Sequence, residues 1–316
     1  MNTHPASTAL GGYYAPRYWP TWILLGSMWL VAQLPYRLQM GLGRLLGQAM
    51  ARLGHKRRRI AEINLGLCFP ELSETERKAL LEDHFRSLGM GMVETAMSWW
   101  TPAARLQPLA HLEGLKHLQA ALARGKGVIL LSGHFTSLEI GGHLLSLFTP
   151  LHALYRRHKN PLFEATMRRA RERNLDKAIP REDMRGMLRS LKDNMPVWYA
   201  ADQDYGREKS VFAPFFGVPA ATITAISRLA KSSGAAVVPF FQRRLRDGSG
   251  YRLTLLPALE DFPGASLEED ALRINRLMEE QIRTMPEQYL WVHRRFKTRP
   301  EGEAPIYTAR PKRGRR

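Results

Sequence analysis

The stretch Leu130-Leu131-Ser132-Gly133-His134-Phe135-Thr136-Ser137-Leu138-Glu139 holds the first residues whose types and spacing could do chemistry. A buried apolar run ends at Ser132, Gly133 permits a tight turn, and His134 opens a helix. Sites in α/β proteins favour the carboxyl ends of strands. A carboxylate on one imidazole nitrogen fixes the tautomer and leaves the other nitrogen as a general base. Glu139 lies five residues on. Along a continuous helix that offset is roughly 500°, which points the two side chains about 140° apart. They meet only if His134 sits in the turn leading into the helix. By spacing alone such a pair is common by chance, and a structural histidine fits it too.

Other chemistries lack their residues. A serine hydrolase would want Gly-x-Ser-x-Gly, which does not occur, and Ser132 and Ser137 have no such elbow. A zinc hydrolase would want His-Glu-x-x-His, which His134, His143, His152 and His158 do not supply. The one cysteine, Cys68, excludes an intrachain disulfide and a multi-cysteine zinc site, and its neighbours Leu65, Leu67 and Phe69 suit a small buried hydrophobe.

Short apolar runs alternating with helical stretches must position the His134 turn. GVILLS (127–132), LHALYR (151–156), PVWYAAD (196–202), AAVVPFFQRR (235–244) and YRLTLLP (251–257) read as strands. IGGHLLSLF (140–148), NPLFEATMRRARERN (160–174), ATITAISRLAKSSG (221–234) and SLEEDALRINRLMEEQIRTM (266–285) read as helices. Ser73-Glu74-Thr75-Glu76 is a capping box ahead of another helical run. The alternation predicts an α/β fold, a mostly parallel sheet flanked by helices, with an N-terminal membrane-anchor helix. The expected division is an anchor and interfacial helix over 1–50, the main domain over 51–300, and a basic C-terminal tail over 301–316.

The anchor is expected from residues 18–36, which carry no formal charge between Arg17 and Arg37. As one helix they would extend roughly 28 Å, about the thickness of a bilayer's hydrocarbon core. Tyr18, Trp19, Trp22 and Tyr36 sit at the ends, where aromatic rings favour the interface. A signal peptide would want a basic start and an Ala-x-Ala site, and neither is present. Gly26, Ser27 and Gln33 make a modest span, and a buried soluble helix is the alternative. Arg37, Arg44, Arg52, Lys56, Arg57, Arg58 and Arg59 follow with no acid among them. That asymmetry predicts a cytoplasmic main domain. Leu38, Leu42, Leu45, Ala49 and Leu53 recur at helical spacing, as in a helix lying on a membrane or one packed with a basic face outward. Gly41, Gly43 and Gly47 weaken any exposed helix.

The chain carries 47 Lys and Arg against 29 Asp and Glu, a net +18, of which residues 301–316 supply +3. Such a surface suits nucleic acid, an anionic membrane or an acidic protein. The uncharged segment and the lack of a recognisable module argue against nucleic acid.

His134-x4-Glu139, Tyr155-Arg156, Asp202-Gln203-Asp204-Tyr205-Gly206, Pro214-Phe215-Phe216-Gly217 and the run Trp291 to Pro300 stand in one order. In that order the chain resembles the late lipid A acyltransferases, the lauroyl/myristoyl transferases of the lysophospholipid acyltransferase superfamily. The likeness spans roughly residues 10–305, and the segments PRYWPTWILLGSMWLVAQLPY and NLGLCFPELSETER look like the lauroyl branch. The resemblance implies transfer of a fatty acyl chain, lauroyl-like, from acyl carrier protein to the hydroxyl of a primary acyl chain on a Kdo-bearing lipid A precursor. It implies an acyltransferase domain over 51–300, at the cytoplasmic side of an anionic inner membrane. A thioester is already activated, so no cofactor or metal is required. His134 would take the acceptor's proton and Glu139 would orient it. Backbone N–H groups ahead of the helix would hold the oxyanion. Arg156 would bind a glucosamine phosphate. Asp202 and Asp204 would meet sugar hydroxyls or an arginine, and Arg294, Arg295 and Lys297 would meet phosphate or Kdo carboxylates. Phe215 and Phe216 fit a core or a groove wall. A twelve-carbon chain buried at about 0.8 kcal/mol per CH₂ contributes on the order of 8 kcal/mol, so an apolar groove is expected. A glycerolipid acyltransferase using the same histidine is the alternative enzyme. A basic membrane- or nucleic-acid-binding protein is the alternative outside enzymes.

Overall fold

The computed structural model describes residues 12–308. Most of the expected basic tail, from residue 309 on, lies outside the described residues. Five helices precede the sheet: α1 (Trp19–Gln33), α2 (Tyr36–Leu53), α3 (His55–Cys68), α4 (Glu74–Trp100) and the short α5 (Ala103–Leu106). There follow β1 (Ala110–Glu113), α6 (Leu115–Leu122), β2 (Val128–Ser132), α7 (Leu138–Ser146), β3 (His152–Tyr155), α8 (Pro161–Asn174), β4 (Lys177–Pro180), α9 (Met184–Lys192) and β5 (Pro196–Ala200). The chain continues with β6 (Ser210–Phe215), β7 (Val218–Ile223), α10 (Ala225–Ser233), β8 (Ala236–Arg244), β9 (Tyr251–Leu255) and α11 (Leu267–Thr284).

Seven strands form one sheet in the order β1-β9-β8-β2-β5-β3-β4. Every neighbouring pair is parallel except β8 and β9. Helices cover both faces, which is why β2 is buried at every position and reads as a continuous apolar run. The expected mostly parallel α/β architecture is therefore present. Local chemistry fixes the helix starts. Ser73 and Glu76 cap α4 reciprocally. Asn160, Asp183 and Ser266 accept the N–H three residues on at α8, α9 and α11.

The expected helix over 221–234 begins only at Ala225, because Ala221, Thr222 and Ile223 complete a separate hairpin of β6 and β7. Phe216 and Gly217 turn that hairpin with φ of 50° and 75°. An aromatic residue in the left-handed region is costly. It is held there by burial against Phe69 and Trp291 and by Glu279, which accepts its N–H at 2.8 Å.

The N-terminal segment departs from the expected span. The apolar run breaks at Leu34-Pro35, where Leu34 is extended, as the residue before a proline prefers to be. Gln39 turns back and donates to the carbonyls of Val31, Ala32 and Leu34, closing the α1–α2 corner. The 15-residue α1 is therefore roughly 22 Å long, and no helix among the described residues is long and apolar enough to cross a membrane. The expected transmembrane helix is corrected accordingly.

In α2 the glycines form the packing seam. A Cβ on Gly47 would collide with the Phe85 carbonyl, and one on Gly89 would collide with the Gly43 carbonyl. The two helix backbones touch there, so α2 turns its leucines outward. Leu38, Leu42, Leu45 and Leu53 are exposed, as are Trp19, Ile23, Trp29 and Leu30 of α1.

Candidate active site

The sheet register builds the centre of the site. In the β2–β5 pair Ser132 stands opposite Ala200. Two residues beyond each strand end come His134 and Asp202, so parallel pairing delivers them side by side. His134 Nδ1 lies 2.6 Å from Asp202 Oδ1, and the His134 backbone N–H donates to Oδ2 at 2.9 Å. The Tyr289 hydroxyl lies beside the same carboxylate. Burial pushes the Asp202 carboxyl up, but the charge of His134 and its hydrogen bonds outweigh it and hold it well below the usual carboxylate range. A carboxylate on Nδ1 keeps the proton there and leaves Nε2 as an acceptor.

Glu139 does not reach His134. It lies in the first turn of α7 and faces α4 and α8. Arg171 donates to it through Nε at 2.8 Å and through a second nitrogen at 2.5 Å, and Trp99 Nε1 donates at 3.0 Å. Burial raises the Glu139 carboxyl, and the Arg171 charge with these hydrogen bonds more than offsets it. Placing His134 in the turn ahead of α7 was the expected condition for their meeting. The condition is met, and the side chains still diverge, because Asp202 occupies Nδ1.

A cavity of about 270 Å³ opens on His134 and is lined by Glu139, Tyr155, Arg156, Arg171 and Asn174 among others. Arg156 is exposed at its rim. The other expected ligand residues point elsewhere. The Asp204 carboxylate accepts from the Thr298 N–H and hydroxyl at 2.7 and 2.8 Å and from the Gly206 N–H at 2.9 Å, so it latches the C-terminal segment. Arg295 is 2% exposed and donates to the Ala221 carbonyl, Thr222 and Asn275 while lying over the Phe215 ring. It is a buried brace and not a phosphate ligand. Arg294 and Lys297 are exposed, Arg294 over the Tyr307 ring and Lys297 3.7 Å from Asp204. Neither lines the His134 cavity. Phe215 and Phe216 are core residues.

Four of the N–H groups ahead of the helix are committed. The His134 N–H serves Asp202, Phe135 serves the Gly133 carbonyl, Thr136 serves Gln288, and Leu138 serves Phe135. Sequence reasoning missed Arg171, Trp99 and Tyr289, and it expected Asp202 to meet sugar hydroxyls or an arginine where the structure gives it His134. The strand alternation was the available signal for Asp202, since residues just past adjacent parallel strands share one edge.

No serine or cysteine hydrogen-bonds His134 among the described residues. A base held by a carboxylate, with no enzyme nucleophile beside it, suits a transferase in which the attacking group comes from the substrate. The description of the bacterial lipid A biosynthesis acyltransferases matches residues 11–298. The chain is 46% identical over 294 residues to the lipid A biosynthesis palmitoleoyltransferase of Escherichia coli strain K12, covering 92% of this chain and 95% of that one. It is 43% identical over 288 residues to the lauroyltransferase of the same strain, covering 91% and 94%. It is 33% identical over 296 residues to the strain's myristoyltransferase, covering 92% and 91%. The chain belongs to the bacterial lipid A biosynthesis acyltransferase family, and it is an acyltransferase.

Proposed function

We propose that the protein transfers a fatty acyl chain from an acyl carrier protein thioester to the hydroxyl of a primary acyl chain on a Kdo-bearing lipid A precursor. His134 Nε2 removes the hydroxyl proton as the oxygen attacks the thioester carbonyl. Asp202 steadies the imidazolium, which returns the proton to the departing thiolate. No step requires a cofactor. Arg156 receives a phosphate of the acceptor, where a guanidinium can fork onto two oxygens. The observation that carries this reading is the Asp202-held His134 opening on a cavity that Arg156 also lines, in a chain similar to named lipid A lauroyl- and palmitoleoyltransferases. The lauroyl-like donor fits within that range of relatives.

The same reading places the enzyme on the cytoplasmic face of the inner membrane. The outward leucines of α2 and the aromatic face of α1 lie in the interface, and Arg37, Arg44 and Arg52 meet anionic headgroups. The body's positive charge speeds capture of the acidic carrier protein.

The test supplies the purified protein with lauroyl and palmitoleoyl carrier protein and with the Kdo-bearing acceptor or lysophosphatidate. Acylation of the first acceptor is expected, and acylation of lysophosphatidate alone would make this a glycerolipid enzyme. Binding to vesicles of phosphatidylglycerol and phosphatidylethanolamine is expected to fall in Leu42→Glu/Leu45→Glu. Unchanged binding would remove the interfacial role of α2.

A further inference from the structure

A second cavity, of about 640 Å³, lies between α2, α4 and the segment after α11. Ala49, Leu53, Phe85, Leu88, Leu290 and His293 are among its lining residues, and its walls are mostly apolar. Arg57, the charged side chain at its edge, is turned onto the Val292 carbonyl. The inner wall backs directly onto the site, since the Leu290 N–H donates to the His134 carbonyl at 2.9 Å. His293 Nε2 accepts from the Asp204 N–H at 3.3 Å, two residues past Asp202. At the other end the cavity reaches Leu46 and Leu53, which belong to the exposed apolar face of α2.

We infer that this cavity takes the acyl chain of the donor thioester, and that Ala49 and Leu88 govern the chain length it accepts. The inference rests on the acyltransferase reading of the His134 site. The two substrates of that reaction arrive with different needs. The acceptor's chains can stay in the bilayer while its polar part reaches His134. The donor's chain comes from a water-soluble carrier and must be sheltered from water beside the reacting carbonyl. The cavity on the Arg156 side carries the paired charges of Glu139 and Arg171 and suits a polar acceptor. The apolar cavity is within the usual range for a bound small ligand, roughly 300–1,000 Å³. Burial pushes the His293 imidazole down to about 4, so at neutral pH this wall carries no charge against a hydrocarbon. Each methylene taken from water is worth about fourfold in binding, so the depth of such a cavity selects chain length.

Ala49 is a small, exposed residue on one wall, where a larger side chain can narrow the cavity without entering the core. Leu88 is half-buried on the facing helix. The full chain is assayed in mixed micelles with saturated acyl carrier protein donors of eight to sixteen carbons. Ala49→Phe is expected to cut kcat/KM for the longest accepted chains by about tenfold relative to the shortest, the effect of excluding one or two methylenes. Leu88→Ala is expected to move the optimum toward longer chains. An unchanged chain-length profile in both folded variants overturns the inference. A change confined to the acceptor KM also overturns it, because the cavity would then hold an acceptor chain.

A direct measurement stands beside these variants in case either misfolds. A donor whose chain ends in a diazirine is irradiated on the wild-type protein, and the labelled peptides are mapped. Labels on 46–54 and 85–88 are expected, and labels confined to any other segment overturn the inference. A wild-type protein that transfers no chain to the Kdo-bearing acceptor removes the proposed acceptor, and labelling of the cavity by the donor is still read separately.

Discussion

Asp202, buried, and Glu139, half-buried, are two carboxylates flanking one histidine turn, and their partners separate their roles. Asp202 holds an imidazole, which can take up a proton and give it back during a reaction. Glu139 holds a guanidinium, which stays charged, and an indole N–H from α4. The first pair can move a proton. The second joins α4, α7 and α8 into a fixed wall and sets where Arg171 stands. The carboxylate next to the histidine in sequence builds the wall, and the carboxylate on the neighbouring strand tunes the base.

The largest expected effects fall on the first pair. His134→Ala and Asp202→Asn should each lower kcat of the folded protein by about 10²–10⁴-fold, as a lost or mis-held general base does. A folded Asp202→Asn enzyme with near-normal kcat would place the orienting group elsewhere.

Glu139→Gln acts on the wall and should lower stability by about 3 kcal/mol, because it leaves Arg171, half-buried, without its partner. Adding Arg171→Met should recover much of that loss, which urea unfolding would measure. A Glu139→Gln protein as stable as wild type would deny the carboxylate its structural role.

Acid should weaken the fold through His84 and His293, both pushed down to about 4 by burial. The unfolded chain takes up these protons near pH 6.5 and the folded chain only near pH 4. Stability therefore falls as pH drops across that window and is retained above it, by on the order of 3 kcal/mol per histidine. His293→Asn should flatten the slope between pH 6.5 and 4, and an unaltered slope would assign the acid sensitivity elsewhere.

The smallest effect is expected from Arg156→Lys at the rim. It should raise the acceptor KM by about tenfold and leave donor dependence alone, since lysine cannot fork onto a phosphate. A change in donor dependence only would move Arg156 to the carrier-protein dock.

Much of the frame was legible because its signals are local. The apolar runs at 127–132 and 235–244, the cap at Ser73 and the amphipathic run at 266–285 each formed their element. The His134 turn was legible for the same reason. The Asp202 partnership depended on strand register across 68 residues, which spacing along the chain does not report. The α1 span failed at a visible residue, Pro35, whose effect the uncharged run obscured. Arg295 looked like surface charge within a basic cluster. Only the Ala221 carbonyl and Thr222 hydroxyl of the β6–β7 hairpin and Asn275 of α11, distant in sequence, give it a buried home.

The central claim, that Asp202 and not Glu139 holds the histidine, is tested most directly by nuclear magnetic resonance of the His134 imidazole. The wild-type protein should show a downfield Nδ1 proton, assigned by its absence in His134→Ala. That signal should persist in Glu139→Gln/Arg171→Met and vanish in Asp202→Asn. Loss of the signal in the Glu139 variant with its survival in Asp202→Asn would contradict the account.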